Sequence, residues 1–121
     1  MKIKSKQEIE KAVKEIIAQF LEVQLGDRLE AVVTQVEEDA IVVKFKDILP
    51  PAEKRLIRQD EGTRLIKELK EKLIERAKPS LKAAVENLIG IEINDIYSIF
   101  DETTGEVIVF FTLENVLELT K

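Results

Sequence analysis

Apolar residues recur along this chain with two different periods, and the switches between them mark out its elements. Ile9, Val13, Ile16, Ile17 and Phe20 share the spacing of one helix face, with Lys and Glu on the other side. Ser5 and Glu8 form a capping box ahead of that run, in which the hydroxyl accepts the amide three residues on and the glutamate reaches back to the cap amide. Gly26 supplies a left-handed stop, so the pattern predicts a first helix over residues 6–25.

From Leu29 the pattern turns extended, with Val32, Val33 and Val36, then Ile41, Val42, Val43 and Phe45, separated by the polar Glu37-Glu38-Asp39. That is a hairpin with a solvated tip. Its second strand puts Ile41, Val43 and Phe45 on one face and Val42, Lys44 and Lys46 on the other, as a sheet with one buried side requires. Leu49-Pro50-Pro51 closes it, because proline has no amide for a ladder, and Pro51 can open a helix. Leu56 and Ile57, then Leu65, Ile66, Leu69, Leu73 and Ile74, carry an apolar stripe onwards, with a bend or short break expected near Gln59 to Thr63. Pro79 predicts a kink or a restart, and Gly90 ends the segment whose buried face is Leu81, Val85, Leu88 and Ile89. A second hairpin follows, Ile91 to Phe100 and Glu106 to Leu113, around Thr104-Gly105, with a short tail at Val116, Leu117 and Leu119.

The order α-β-β-α-α-β-β therefore predicts an α+β domain over residues 1–121. It is a two-layer fold with an antiparallel sheet of about four strands in two hairpins and the helices packed on one face. One strand breaks the rule for such a sheet. Val107, Ile108, Val109, Phe110 and Phe111 are apolar at every position, so either helices and tail wrap both faces or the second face packs on another subunit. Ile93, Ile96, Tyr97 and Ile99 on the neighbouring strand add weight to the second solution.

Composition then removes most chemistry. The chain has neither cysteine nor histidine, which excludes disulfides, thiolate catalysis and imidazole or thiolate metal sites. Its formal net charge of -5 sets a weak overall repulsion from nucleic acid, and no nucleic-acid partner is expected. The basic residues between Arg64 and Lys82 have acidic neighbours at helical spacing, the pattern of a solvated face. Gly26, Gly62, Gly90 and Gly105 are too scattered to cradle a phosphate, and Ser5, Ser80 and Ser98 lack a histidine base. Asp95, Asp101 and Glu102 read as turn residues, since Asp101 to Gly105 has no calcium-loop pattern. No cofactor and no metal is expected. The start, Met1 to Lys6, lacks an apolar segment behind its charges, and no run approaches the ~20 residues that span a bilayer.

Leu49, Pro51, Ala52, Glu53, Lys54 and Leu56 match a hairpin-to-helix motif, a "(L)TPAE+xL" helix start, and at that point the chain resembles the bacterial MpsC family, named for a Na+-translocating membrane potential-generating system. Pro79 with Leu88 to Gly90 is similar to that family's Pro-kinked helix, and Asp95 and Ser98, with Thr104-Gly105 and Val107 to Phe111, to its closing hairpin. The resemblance runs from about Lys6 to Leu113. Two departures stand out: a Gly-Lys-Gly-Pro-like segment is reduced to Gly26-Asp27, and a Ser-Asp step reads Ser98-Ile99.

The resemblance names no reacting atom and implies a cytoplasmic accessory protein linked to a membrane cation-translocating or inorganic-carbon-related system. The leading expectation is a non-enzymatic interaction subunit, cytoplasmic or held at the membrane through a partner complex without inserting itself. It would self-associate, as a dimer in the first instance, through the Val107, Val109, Phe110 and Phe111 strand. The alternative is a homo-oligomeric small-ligand sensor with a pocket between helices and sheet, for which Tyr97 and Asp95 are the first candidate residues.

Overall fold

A computed structural model of the chain describes residues 4–26, 28–101, 104–117 and 119–120. Outside them lie the charged start at Met1 to Ile3, Asp27 of the shortened glycine segment, and Glu102 and Thr103 of the second turn. The elements in chain order are β1 (Lys4–Ser5), α1 (Lys6–Leu25), β2 (Arg28–Val36), β3 (Ala40–Ile48), α2 (Pro51–Leu56), α3 (Asp60–Ile89), β4 (Ile93–Asp101), β5 (Glu106–Leu113) and β6 (Leu119–Thr120). The fold is α+β. The two hairpins join through β3 and β5 into one antiparallel sheet of order β2-β3-β5-β4, while β1 and β6 form a separate parallel pair.

Helix α1 starts where the capping box places it. The Ser5 hydroxyl accepts the Glu8 amide at 3.1 Å and donates to the Glu8 carboxylate at 2.9 Å, so the glutamate reaches back to the cap hydroxyl. Ile9, Val13, Ile17, Leu21 and Leu25 are buried, and Gly26 closes the helix at φ 69 with its amide on the Glu22 carbonyl. These side chains meet Ile74, Ala77, Leu81, Val85 and Ile89 of α3, and together they cover Val43 and Phe45 of β3 and Val107, Val109 and Phe111 of β5. Glu10 and Glu86 fasten this layer to the sheet, accepting the Val36 amide at 2.9 Å and the Ile93 amide at 2.7 Å.

Of the kink or restart expected at Pro79, the restart does not occur, since α3 runs unbroken from Asp60 to Ile89 with Pro79 inside it. The bond that proline forfeits would have gone to the Glu75 carbonyl, and both residues are exposed. Water can serve that carbonyl, and the buried stripe through Ala77 and Leu81 on the opposite side stays in phase.

The expected break lies between Leu56 and Asp60, and Gly62 is what permits it. Gly62 is buried, and a Cβ there would fall on the Leu56 carbonyl oxygen. The Thr63 hydroxyl donates to the Ile57 and Gln59 carbonyls at 3.0 and 3.2 Å, which tightens the same elbow. Lys70, grouped by its sequence with the solvated lysines, is 1% exposed and pairs with Glu53 of α2 at 3.0 Å.

Both edge strands carry a register shift, between Glu30 and Val33 in β2 and between Ile93 and Asp95 in β4. Ala31 lies in the first, at φ 53. The second turns Ile93 and Ile96 to the helices together and sends Tyr97 and Ile99 to the other side. After β5 the tail crosses the first hairpin tip, where Leu117 is buried and its amide donates to the Glu38 carbonyl at 2.7 Å.

In an ordinary helix interior Gly→Ala gains about 0.5–1 kcal/mol. Gly62→Ala is expected instead to cost roughly 1–3 kcal/mol, because the Leu56 backbone must move away. Urea unfolding followed by circular dichroism reads the sign directly. Glu53→Ala is expected to destabilise by roughly 1–2 kcal/mol more than Glu53→Ala with Lys70→Met, since the single change leaves an ammonium buried without its carboxylate. The same unfolding curves provide that comparison.

Candidate interaction surface

Alternation along β3 and β5 divides their side chains between two unlike faces. Ile41, Val43, Phe45, Val107, Val109 and Phe111 point at the helices and are buried. Val42, Lys44, Lys46, Ile108, Phe110 and Thr112 point the other way.

Strand register fixes what this second face presents. One row runs Tyr97, Phe110, Val42, Gln35 from β4 to β2, and the next runs Ile99, Ile108, Lys44, Val33. Tyr97, Ile99 and Val33 are 52, 55 and 58% exposed, and the apolar residues between them are half-buried only by their strand neighbours. A greasy stripe therefore crosses all four strands on the side away from the helices.

Charged rows border the stripe. Asp95, Thr112 and Ala40 lie at one end; Asp101, Glu106, Lys46 and Glu30 lie at the other. The Lys44 ammonium pairs with the Glu106 carboxylate at 2.9 Å. Across the strands the acids gather on β4 and β5 and the lysines on β3, so the face is polarised from edge to edge.

The Tyr97 hydroxyl donates to an Asp95 carboxylate oxygen at 2.9 Å, and the other oxygen accepts the Ile96 amide at 3.0 Å. That hydrogen bond, reinforced by the carboxylate's charge, raises the phenol above its ordinary 10.0.

The residues nominated from the sequence thus fall in four places. Asp95, Tyr97 and Phe110 share the open face; Val107, Val109 and Phe111 are core. Gly105 shapes the β4–β5 turn at φ 76, with its amide on the Asp101 carbonyl. Leu49, Pro51, Ala52, Glu53 and Lys54 build the start of α2, where only Glu53 reaches a buried partner. Tyr97 and Asp95 converge on each other at the surface and not on an interior pocket between helices and sheet. Sequence reading missed Val33, which pairs with the outward Lys44 of β3 and is exposed. Among the described residues no group of three or more His, Cys, Asp or Glu could hold a metal ion, and no helix is long and apolar enough to cross a membrane.

A model of the MpsC family, described as Na+-translocating membrane potential-generating system, matches residues 5–115. The uncharacterized protein YbcI of Bacillus subtilis (strain 168) is 32% identical over 115 residues, covering 95% of this chain and 93% of that protein. No solved structure gives a significant match.

With one tyrosine and no tryptophan, ultraviolet absorbance reports Tyr97 alone. Its phenol is expected to titrate above 10.0, and Asp95→Asn to bring the midpoint back towards that value. Because the folded phenol is raised, its contribution to stability is present below the ordinary value and is lost as pH climbs through the raised one. A midpoint that ignores Asp95→Asn counts against the hydrogen bond.

Proposed function

The chain belongs to the MpsC family, and from that premise we propose that it is a non-enzymatic interaction subunit related to a membrane potential-generating system, self-associating through the open face of its sheet. One observation carries the reading. Strand β5 is central and apolar on both sides, yet helices cover only one of them.

The second copy is the occupant that fits this face. Strands about 30 Å long, four of them at about 4.8 Å spacing, present roughly 600 Å², near the ~800 Å² that each partner contributes to a standard interface. The stripe is mostly apolar, with Lys44 drawn to Glu106, and is bordered by Asp95 and Thr112 at one end and by a charged row at the other, the layout of an interface core with a polar rim. Each half-exposed Tyr, Ile or Val covered in this way contributes about 1 kcal/mol by area.

A non-catalytic role agrees with a sequence that has no cysteine or histidine and with nominated polar residues that serve turns, ion pairs and the surface. Face-to-face pairing leaves the helices outermost, where a membrane complex could contact them.

Sedimentation equilibrium at tens of micromolar tests the reading. The unmodified chain is expected to be a dimer, and Ile99→Lys with Phe110→Lys a monomer of unchanged helical circular dichroism. A unmodified chain that is monomeric under those conditions overturns it.

A further inference from the structure

We propose that the second copy lies with its two-fold axis parallel to the strands, between β3 and β5. Strand β5 of each copy then lies over β3 of the other, and β4 over β2. This arrangement rests on the reading of the open face as the self-associating surface.

An isologous, face-to-face pairing of this sheet has two directions for its axis, along the strands or across them. Both cover the same apolar stripe with itself. Because the hydrophobic term is non-directional and follows area, it does not choose between them. Charge placement does.

With the axis across the strands, β4 stacks on β4 and β3 on β3. Asp95 then faces the partner's Asp101, acid on acid twice over, while Lys44 and Lys46 of β3 face the partner's Val42 and the partner's Ala40 and meet no acid. With the axis along the strands, the acidic β4–β5 half meets the basic half. Glu106 faces the partner's Lys46, Phe110 faces the partner's Val42, and Ile99 faces the partner's Val33.

The two corners of this second arrangement are less favourable, since Asp101 approaches the partner's Glu30 at each, but the two Glu106–Lys46 contacts in the same row have no counterpart in the other arrangement. Arg28 is the next outward residue on β2 and is exposed, so the partner's Arg28 can answer Asp101. The roughly 30° rotation usual between aligned sheets also swings the corners apart while leaving the central rows stacked.

The absence of cysteine makes the test direct, because a variant with one introduced cysteine has one thiol. Val33→Cys and Ile99→Cys both replace exposed side chains, and the two positions face each other only in the proposed arrangement. Two copies of either residue would be about three strand spacings, roughly 14 Å, apart sideways, beyond the ~4 Å between Cβ atoms that a disulfide allows. The two variants are oxidised separately and as an equimolar mixture, with an affinity tag on one so that mixed pairs have their own mass.

The expected result is severalfold more disulfide-linked dimer in the mixture than in either variant alone, all of it mixed. If the unmodified chain sediments as a dimer but Ile99→Cys links to itself as readily as the mixture links, the orientation is wrong and self-association stands. A monomeric unmodified chain overturns both.

Discussion

Packing of α1 and α3 onto one side of β3 and β5 is the constraint from which the other features follow. Val43, Phe45, Val109 and Phe111 are almost solvent-free beneath Val13, Ile17, Leu21, Leu81 and Val85, and this contact unites hairpins that are far apart in sequence. It uses the two long helices among the described residues. What remains, α2 and the tail, is committed elsewhere: α2 folds back on the first turns of α3, and the tail crosses the first hairpin tip. The outer side of the sheet is therefore left open among the described residues, with Tyr97, Ile99 and Val33 exposed on it. The unbroken apolar run from Val107 to Phe111 in β5 is consistent with that side meeting something outside the chain.

Two glutamates give this packing its direction. Hydrophobic burial alone would let the helix layer slide over the sheet, since it rewards area and not position. The carboxylates of Glu10 and Glu86 take the backbone amides of Val36 and Ile93, where the two edge strands meet the helices. Amides so placed would otherwise lack a ladder partner, and a charged acceptor suits a partly buried donor. The strand positions that set the outer rows are thus referenced to the helices.

Most of the architecture was legible because it rests on local signals. Ser5, Gly26 and Gly90 bound helices through their own backbone chemistry, and strict alternation in β3 identified its buried face. Three features needed information that lies far away in the chain. Pro79 continues its helix on the exposed side of α3, which it shares with Glu75, and which side is exposed depends on how α3 is rolled against α1. Lys70 reads as one more surface lysine until Glu53 is folded over it. The outward side of β4 was misjudged in part, because a single shifted residue exchanges the faces of everything beyond it, and nothing in Ile93-Asn94-Asp95 announces the shift. The candidate surface was half visible: β5 declared it, whereas Val33 joined it through its pairing with Lys44 across the first hairpin.

The location of those two bulges limits how this protein can assemble. Both lie in β2 and β4, the strands at the rims of the sheet, while the interior ladder between β3 and β5 is regular. A neighbour trying to extend the sheet sideways would meet an interrupted row of donors and acceptors, with Ala31 twisted into the left-handed region on one rim. Lateral, open-ended growth of the kind that produces fibrils is thus hindered where the bulges interrupt each margin, and an association through the flat of the sheet closes once the flat is used.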